Sequence, residues 1–296
     1  MAKNTESGPL RRPTSWWLRM LQKRAERMYE EKLDLSEPIV WASEAERQAA
    51  IAFFNAAYRS EESGLRQAHE LAEQVAAWDP ELAECLRLYG NEEGWHRELL
   101  TEFLDYLGGT VRPMGRVTGT FFHLYAKAKR IETIVLTNLM FETIGSTTYR
   151  LALRRAKHPA VRHILTVLTR DESFHVPLNV HFLREALARQ PNTSRLRLRA
   201  IFNLLYVALW LSAYASRRRA EAFDHIPFEV LSRAYAEHLA RLFLKESDLD
   251  LRPPAFLLRL FGLSEDELHR GEDIIGIGVQ AAEAAVDRHR VAVEAL

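Results

Sequence analysis

The chain has 296 residues, 47% of them hydrophobic, which is enough for a sizeable core in one large or two modest domains and too apolar for a disordered chain. Its 40 Lys and Arg balance 40 Asp and Glu with the signs interleaved, so no overall field draws it to nucleic acid. The single cysteine, Cys85, excludes an internal disulfide and a four-thiolate metal site. With no apolar leader ahead of a small-residue cleavage site, the expected location is cytoplasmic.

Helical periodicity runs through the chain and no segment reads as a strand. Residues 1–42 form a basic, amphipathic N-terminal arm with Trp16, Trp17, Met20 and Leu21, expected to pack as a strap across a helical bundle rather than lie on a membrane. Residues 43–189 are expected to form four long helices. The first starts at Ser43, a capping residue with Glu46 three positions on, and runs to about Trp78. Its apolar line of Ile51, Phe54, Tyr58, Leu65, Ala68, Ala72 and Val75 steps by three and four, and Glu61 falls on that line. Asp79-Pro80 opens the second helix, which Gly108-Gly109 stops. After a crossover loop from Thr110 to about Gly119, a third helix is expected from about Thr120 to Ala156. The His158-Pro159 turn leads into a fourth ending near Arg189, with a kink where Pro177 interrupts it.

Residues 190–296 read as a helical extension packed on the bundle. Helices are expected from about Arg195 to Ala222 and from about Pro227 to Lys245, then a Pro253-Pro254 break and a last helix from Ser264. The apolar run Ala200–Ala215 lies between Arg195, Arg197, Arg199 and Arg217, Arg218, Arg219. It is short for a membrane span and carries Asn203 and Ser212, so a buried helix is expected and a membrane partner is not.

The chemistry sits in a motif that occurs twice. Asn91-Glu92-Glu93-Gly94-Trp95-His96 and Arg170-Asp171-Glu172-Ser173-Phe174-His175 each contain acid-Glu-x-x-His, about eighty residues apart in matching hairpins. Three-residue spacing puts Glu93 with His96, and Glu172 with His175, on one helix face, where each pair can address one ion. The partner helices add Glu61-Glu62-Ser63-Gly64 and Glu142-Thr143-Ile144-Gly145, both Glu-x-x-Gly. Counted from the hairpin turns, the four carboxylates fall within roughly 3–6 Å of one level. Four ionised carboxylates in a helical core are tolerable only if cations neutralise them. The candidate ligands are therefore Glu61, Glu93, His96, Glu142, Glu172 and His175, with Glu61 preferred to Glu62 by the apolar line. Carboxylate plus imidazole suits iron or manganese better than zinc. Glu92 and Asp171 are candidates to hold the opposite motif's histidine through its other ring nitrogen.

These paired motifs resemble the ferritin-like diiron-carboxylate superfamily, which includes bacterioferritin, rubrerythrin, aldehyde-deformylating oxygenase, the desaturases and the ribonucleotide reductase small subunit. The resemblance covers about residues 43–189 and implies an all-α, ferritin-like four-helix bundle holding two Fe ions, with Mn or a mixed Mn/Fe pair as alternatives. It implies that Glu93 and Glu172 bridge, that Glu61 and Glu142 are terminal or shifting ligands, and that His96 and His175 take one ion each. Ser146 resembles in position a hydroxyl that lines the oxygen pocket of some diiron monooxygenases, or bonds its own helix backbone. Tyr149 stands where some relatives carry a tyrosine near the metals, or packs in the core with its hydroxyl bonded.

By the same resemblance O2 is the expected co-substrate, a small organic molecule the substrate, and a reductase or ferredoxin the electron donor, and a homodimer stays open. The apolar extension would wall off a pocket, as an oxygenase needs. The length is similar to that of amine N-oxygenases, yet Leu168 stands where those enzymes carry an extra histidine. The rival expectation is iron oxidation, iron handling or peroxide removal with no organic substrate. A third is a membrane-associated metalloprotein.

Overall fold

The computed structural model describes residues 11–269, and every regular element among them is helical. Helix α1 (Thr14–Ala25) buries Trp17, Met20 and Leu21 and packs against the helix that carries the first motif. Helix α2 (Glu44–Val75) starts where Ser43 Oγ accepts the Glu46 N–H at 3.2 Å while the Glu46 carboxylate accepts the Ala42 N–H at 2.7 Å. Helix α3 (Pro80–Tyr106) is capped by Asp79, whose carboxylate accepts the Leu82 N–H at 2.9 Å. It ends as Gly108 turns left-handed at φ 69° and the Gly109 N–H reaches back to the Leu104 carbonyl, a closure that suits glycine.

The expected third helix is two. Helix α4 (Arg116–Tyr125) and helix α5 (Ile131–Arg155) are separated by an extended residue, Arg130, and α4 begins inside the expected crossover loop. Buried Tyr125 causes the fold-back: its hydroxyl donates to Asn138 Oδ1, which pins the end of α4 against the first turns of α5. Helix α6 (Pro159–Ala188) is capped by His158 and continues through Pro177 as one helix. The antiparallel pairs α2/α3 and α5/α6 face each other through α3 with α6 and α2 with α5, which makes the four-helix bundle.

Helix α7 (Asn192–Asp224) packs along α2 and α5, helix α8 (Phe228–Lys245) packs on α5 and α7, and the short helices α9 (Ala255–Leu260) and α10 (Glu265–His269) lean on α8. The last helix expected from Ser264 is described only to His269; its remainder lies outside the described residues. The expectation of a buried Ala200–Ala215 helix needs correction. By length and composition Arg195–Ala215 could cross a membrane, and only one face of it is covered. Leu198, Phe202, Leu205, Tyr206 and Leu209 enter the core, while Leu204 at 67% and Leu211 at 47% exposure face outward. The bundle offers α7 one side only, so an apolar helix laid on it keeps the opposite stripe in the open.

Two apolar blocks make up the bundle core, and their membership places the site. On α2 one block takes Ala50–Ala57 and the other Ala68–Val75; on α3 they take Trp95–Leu107 and Leu82–Tyr89. On α5 they take Tyr149–Ala152 and Ile134–Met140, and on α6 Ala160–Leu168 and Phe174–Leu187. Between the blocks every helix presents buried polar side chains: Glu61, Glu92 and Glu93, Glu142, Asp171 and Glu172. All four helices thus change from apolar to acidic at one level, and a single polar layer crosses the bundle between two hydrophobic plugs.

Candidate metal centre

Helical spacing and the opposition of α3 to α6 bring the six candidate ligands together. Glu61, His96 and Glu172 offer one ligand atom each within 4.8 Å of one another, as do Glu93, Glu142 and His175. Each triad joins one histidine to two glutamates drawn from other helices. His96 Nδ1 lies 3.3 Å from Glu61 Oε2; His175 Nδ1 lies 3.0 Å from Glu93 Oε1, 3.6 Å from Glu172 Oε2 and 3.7 Å from Glu142 Oε2. Glu62 points away, half-exposed and paired with Arg59 at 2.6 Å.

The opposite nitrogens cross between motifs. His96 Nε2 sits 3.1 Å from Asp171 Oδ2, and His175 Nε2 sits 3.3 Å from Glu92 Oε2. A histidine that donates Nε2–H to these carboxylates turns the Nδ1 lone pair toward the acidic cluster, as a metal ligand needs. The fit to cations also appears in what is unsatisfied: Glu93 Oε1, Glu172 Oε2 and His175 Nδ1 are buried without a hydrogen-bond partner. Orphaned acceptors converging in one dry layer are what a pair of cations would satisfy.

Protein groups alone strain this layer electrostatically. Burial, then the charges of Glu61 and Glu142, push Glu93 well above the usual carboxylate range; burial, Glu142 and Glu61 do the same to Glu172. Burial opposes charge on His96, but its bonds with Asp171 and Glu61 outweigh that and raise it to about 10. Glu142 is pushed up by burial yet held down to about 2 by bonds with Glu172, His175 and Tyr89.

A third acidic group, Glu92 and Asp171 beside His96, has its cation already. Arg24, at the end of α1, donates to both oxygens of Glu92, with Nε at 3.1 Å from Oε2, and Nη2 reaches Asp171 Oδ1 at 2.7 Å. Arg170 adds two bonds to Asp171 at 2.7 and 2.9 Å. These carboxylates therefore act as holders of the histidines, themselves held by arginine. Arg170 stands beside its partner in the motif and was within reach of sequence reasoning. Arg24 contacts residues 68 and 147 positions away, so no local pattern marks it. Tyr89, one turn before Glu93, was also missed; its hydroxyl donates to Glu142.

Gly64 is required by close approach, since a Cβ there would lie 2.7 Å from Glu93 Oε2. The space it leaves serves the neighbouring helix's carboxylate rather than Glu61. Gly145 is looser, a Cβ there lying 4.0 Å from Glu172 Cδ. The Tyr149 hydroxyl donates to Glu61 Oε1 at 3.4 Å and so touches the site. Ser146 is buried, and its Oγ accepts from Arg150 at 3.4 Å; among the described residues it makes no hydrogen bond to the six-residue set. Leu168 packs in the core one turn before Glu172.

Beside the site, α2, α4, α5, α7 and α8 enclose a cavity of about 1130 Å³ that reaches Gly145 and Tyr149.

A helical bundle with a polar layer of paired Glu-x-x-His motifs and partner glutamates defines the ferritin-like diiron-carboxylate class. Residues 52–178 match the family model described as Rubrerythrin, so the chain contains a domain of that kind, and iron binding by it is supported. A search of curated proteins finds no match.

Proposed function

We propose that the protein is an O2-dependent diiron oxidoreductase, of mono-oxygenase type, that oxidises a small organic molecule held in the cavity beside the metal layer. The observation that carries this reading is the cavity itself: it ends on Tyr149 and Gly145, and these residues abut Glu61 and Glu172. A substrate seated there lies next to the ligand set, against apolar walls that include Phe53, Phe141 and Ile144. Two iron ions bound by Glu61, Glu93, His96, Glu142, Glu172 and His175 would supply O2 reduction and oxidation of the neighbouring organic group; manganese suits the same donors.

The chain's own residues do the rest. Glu92 and Asp171 orient the two imidazoles, Arg24 holds those carboxylates, and Tyr149 and Tyr89 restrain Glu61 and Glu142 by hydrogen bonds. Electrons come from a reductase or ferredoxin-like donor. The Rubrerythrin match is equally compatible with a second reading, in which iron or peroxide is the substrate and no organic molecule takes part.

The deciding experiment loads metal-free protein with Fe(II) under anaerobic conditions, then adds isotopically labelled O2, a reductant and a library of small organic molecules. O2 uptake that depends on an organic molecule, with label in its product, is expected. Continuous Fe(II) oxidation at an unchanged rate without any organic molecule would replace this reading with the second.

A further inference from the structure

The cavity has a charge pattern unlike the rest of the molecule. Over the whole chain the two signs are equal in number, yet among the described residues the cavity is lined by Arg112, Arg116, Arg217 and Arg218 and by no Asp, Glu, Lys or His. None of the four arginines forms an ion pair among the described residues. Arg112 Nη1 donates to the Gln48 amide oxygen at 3.3 Å, and Arg217 donates to the Tyr214 carbonyl while its guanidinium lies 3.6 Å from that ring's centroid. These partners are neutral and leave the positive charge uncancelled. Four guanidinium groups around one apolar hollow repel one another and invite an anion.

The cavity is also polarised along its length. Its α2 wall runs from Gln48 to Ser60, a rise of about 18 Å. One end, at Ser60, Gly145 and Tyr149, meets the carboxylate layer. The Arg112 guanidinium reaches the other, bonded to Gln48 about 20 Å along α2 from Glu61, while the Arg112 backbone is bonded to Asn55 and Arg59 midway along the wall. Gly115, just before Arg116, is an open lip where an added Cβ would meet nothing within 4 Å. Between the ends the walls are apolar, with Phe53, Phe141, Ile144 and Leu209 among them. A ligand that suits all of this has an anionic head for the arginines and an apolar body for the walls. It also presents a tail with no negative charge to the acidic layer.

We propose that the cavity binds an amphipathic organic acid, a free carboxylic acid with an extended hydrocarbon body, its carboxylate held by the lining arginines and its chain laid against the apolar walls. This names the substrate class of the oxidoreductase and rests on that reading of the cavity for its catalytic meaning, but binding itself needs no turnover. Arg116 and Arg218 are the specificity-determining residues, because neither is engaged with an acidic group and a guanidinium can grip a carboxylate with two parallel hydrogen bonds.

The test is calorimetric titration of the iron-loaded full chain under argon with decanoate below its micelle concentration. Decyltrimethylammonium and acetate serve as head-reversed and body-less probes, and anionic phosphatidylglycerol vesicles as a separate arm. Saturable one-to-one decanoate binding is expected, weakened at least tenfold in Arg116→Gln and in Arg218→Gln. Arg87→Gln, an equal charge change on a distant face, should leave it unaltered. Circular dichroism of the variants checks that they fold. Equal binding of the ammonium probe, decanoate affinity indifferent to both arginines, no decanoate binding, or binding only to vesicles would each overturn the proposal. Decanoate binding with no O2-dependent oxidation of any organic molecule would sink the oxidoreductase reading while leaving this site standing. Organic-dependent O2 uptake without decanoate binding would do the reverse.

Discussion

Replacing Arg24 with alanine tests how much of the metal layer depends on a residue outside the bundle. The Arg24 side chain is 14% exposed and serves Glu92 and Asp171, whose side chains are 7% and 1% exposed. Its removal leaves two buried carboxylates, one wholly without an arginine and the other with Arg170 alone. Breaking a buried ion pair from one side costs about 3–5 kcal/mol, and the lost packing of the guanidinium over Phe174, 4.5 Å from the ring centroid, adds about 0.5–1 kcal/mol. Arg170 and the histidines offset part of this, so a loss of about 3 kcal/mol in urea unfolding of metal-free protein at pH 7 is the expected result.

The pH dependence adds a second reading of the same variant. Burial raises the Glu92 carboxyl, but Arg24 and His175 outweigh it and bring it down to about 2. Its contribution to stability is therefore fully present above its unfolded value near 4.5 and is lost as pH falls through about 2. In Arg24→Ala that acid limb should flatten. Iron affinity should fall by about 10- to 100-fold as the imidazoles lose their fixed orientation. Arg24→Lys should be intermediate, since it keeps the charge and loses the fork. A stability loss below about 1 kcal/mol with unchanged iron affinity would refute the clamp.

Gly64→Ala should keep or raise helix content, because alanine is the better helix former, while its methyl group displaces Glu93 and lowers the iron bound per chain by elemental analysis. Full iron occupancy would show that Glu93 has room to move. Glu61→Gln should weaken iron binding, whereas Glu62→Gln, on an exposed ion pair, should change neither iron content nor stability by more than about 0.5 kcal/mol; equal effects would undo the assignment of Glu61. Because Glu93 and Glu172 are held well above the usual carboxylate range and His96 near 10, iron binding at pH 7 should release about one or more protons per chain. Titrations in buffers of different ionisation enthalpy would measure it, and heats independent of buffer would contradict the shared burial of these groups.

Much of this centre was legible because its parts are local. Spacing of three along a helix puts Glu93 and His96, and Glu172 and His175, on one face each, but the triads cross between motifs, His96 joining Glu61 and Glu172 while His175 joins Glu93 and Glu142; the apolar seam carries Glu61 but not Glu62 into the interior. The crossing of Asp171 to His96 and of Glu92 to His175 was foreseeable once two equal motifs were opposed. The break at Arg130 was not: the residues from Thr120 to Ala156 have ordinary helical composition, and what folds α4 back is the long-range fit of Tyr125 against Asn138. The half-buried state of α7 escaped for a related reason, since hydropathy measures how apolar a helix is and not how many of its sides find a neighbour.

The amino-acid sequence by itself determined the four-helix bundle and the level at which it turns acidic, because helical periodicity and capping are short-range and antiparallel helices bring equal distances from a turn to equal height. Tertiary structure alone decided that Arg24 closes the acidic group of Glu92 and Asp171, that four arginines share one apolar cavity, and which face of α7 is left bare. Those outcomes depend on contacts between segments distant in the chain, and no local periodicity encodes the direction from which a distant guanidinium arrives.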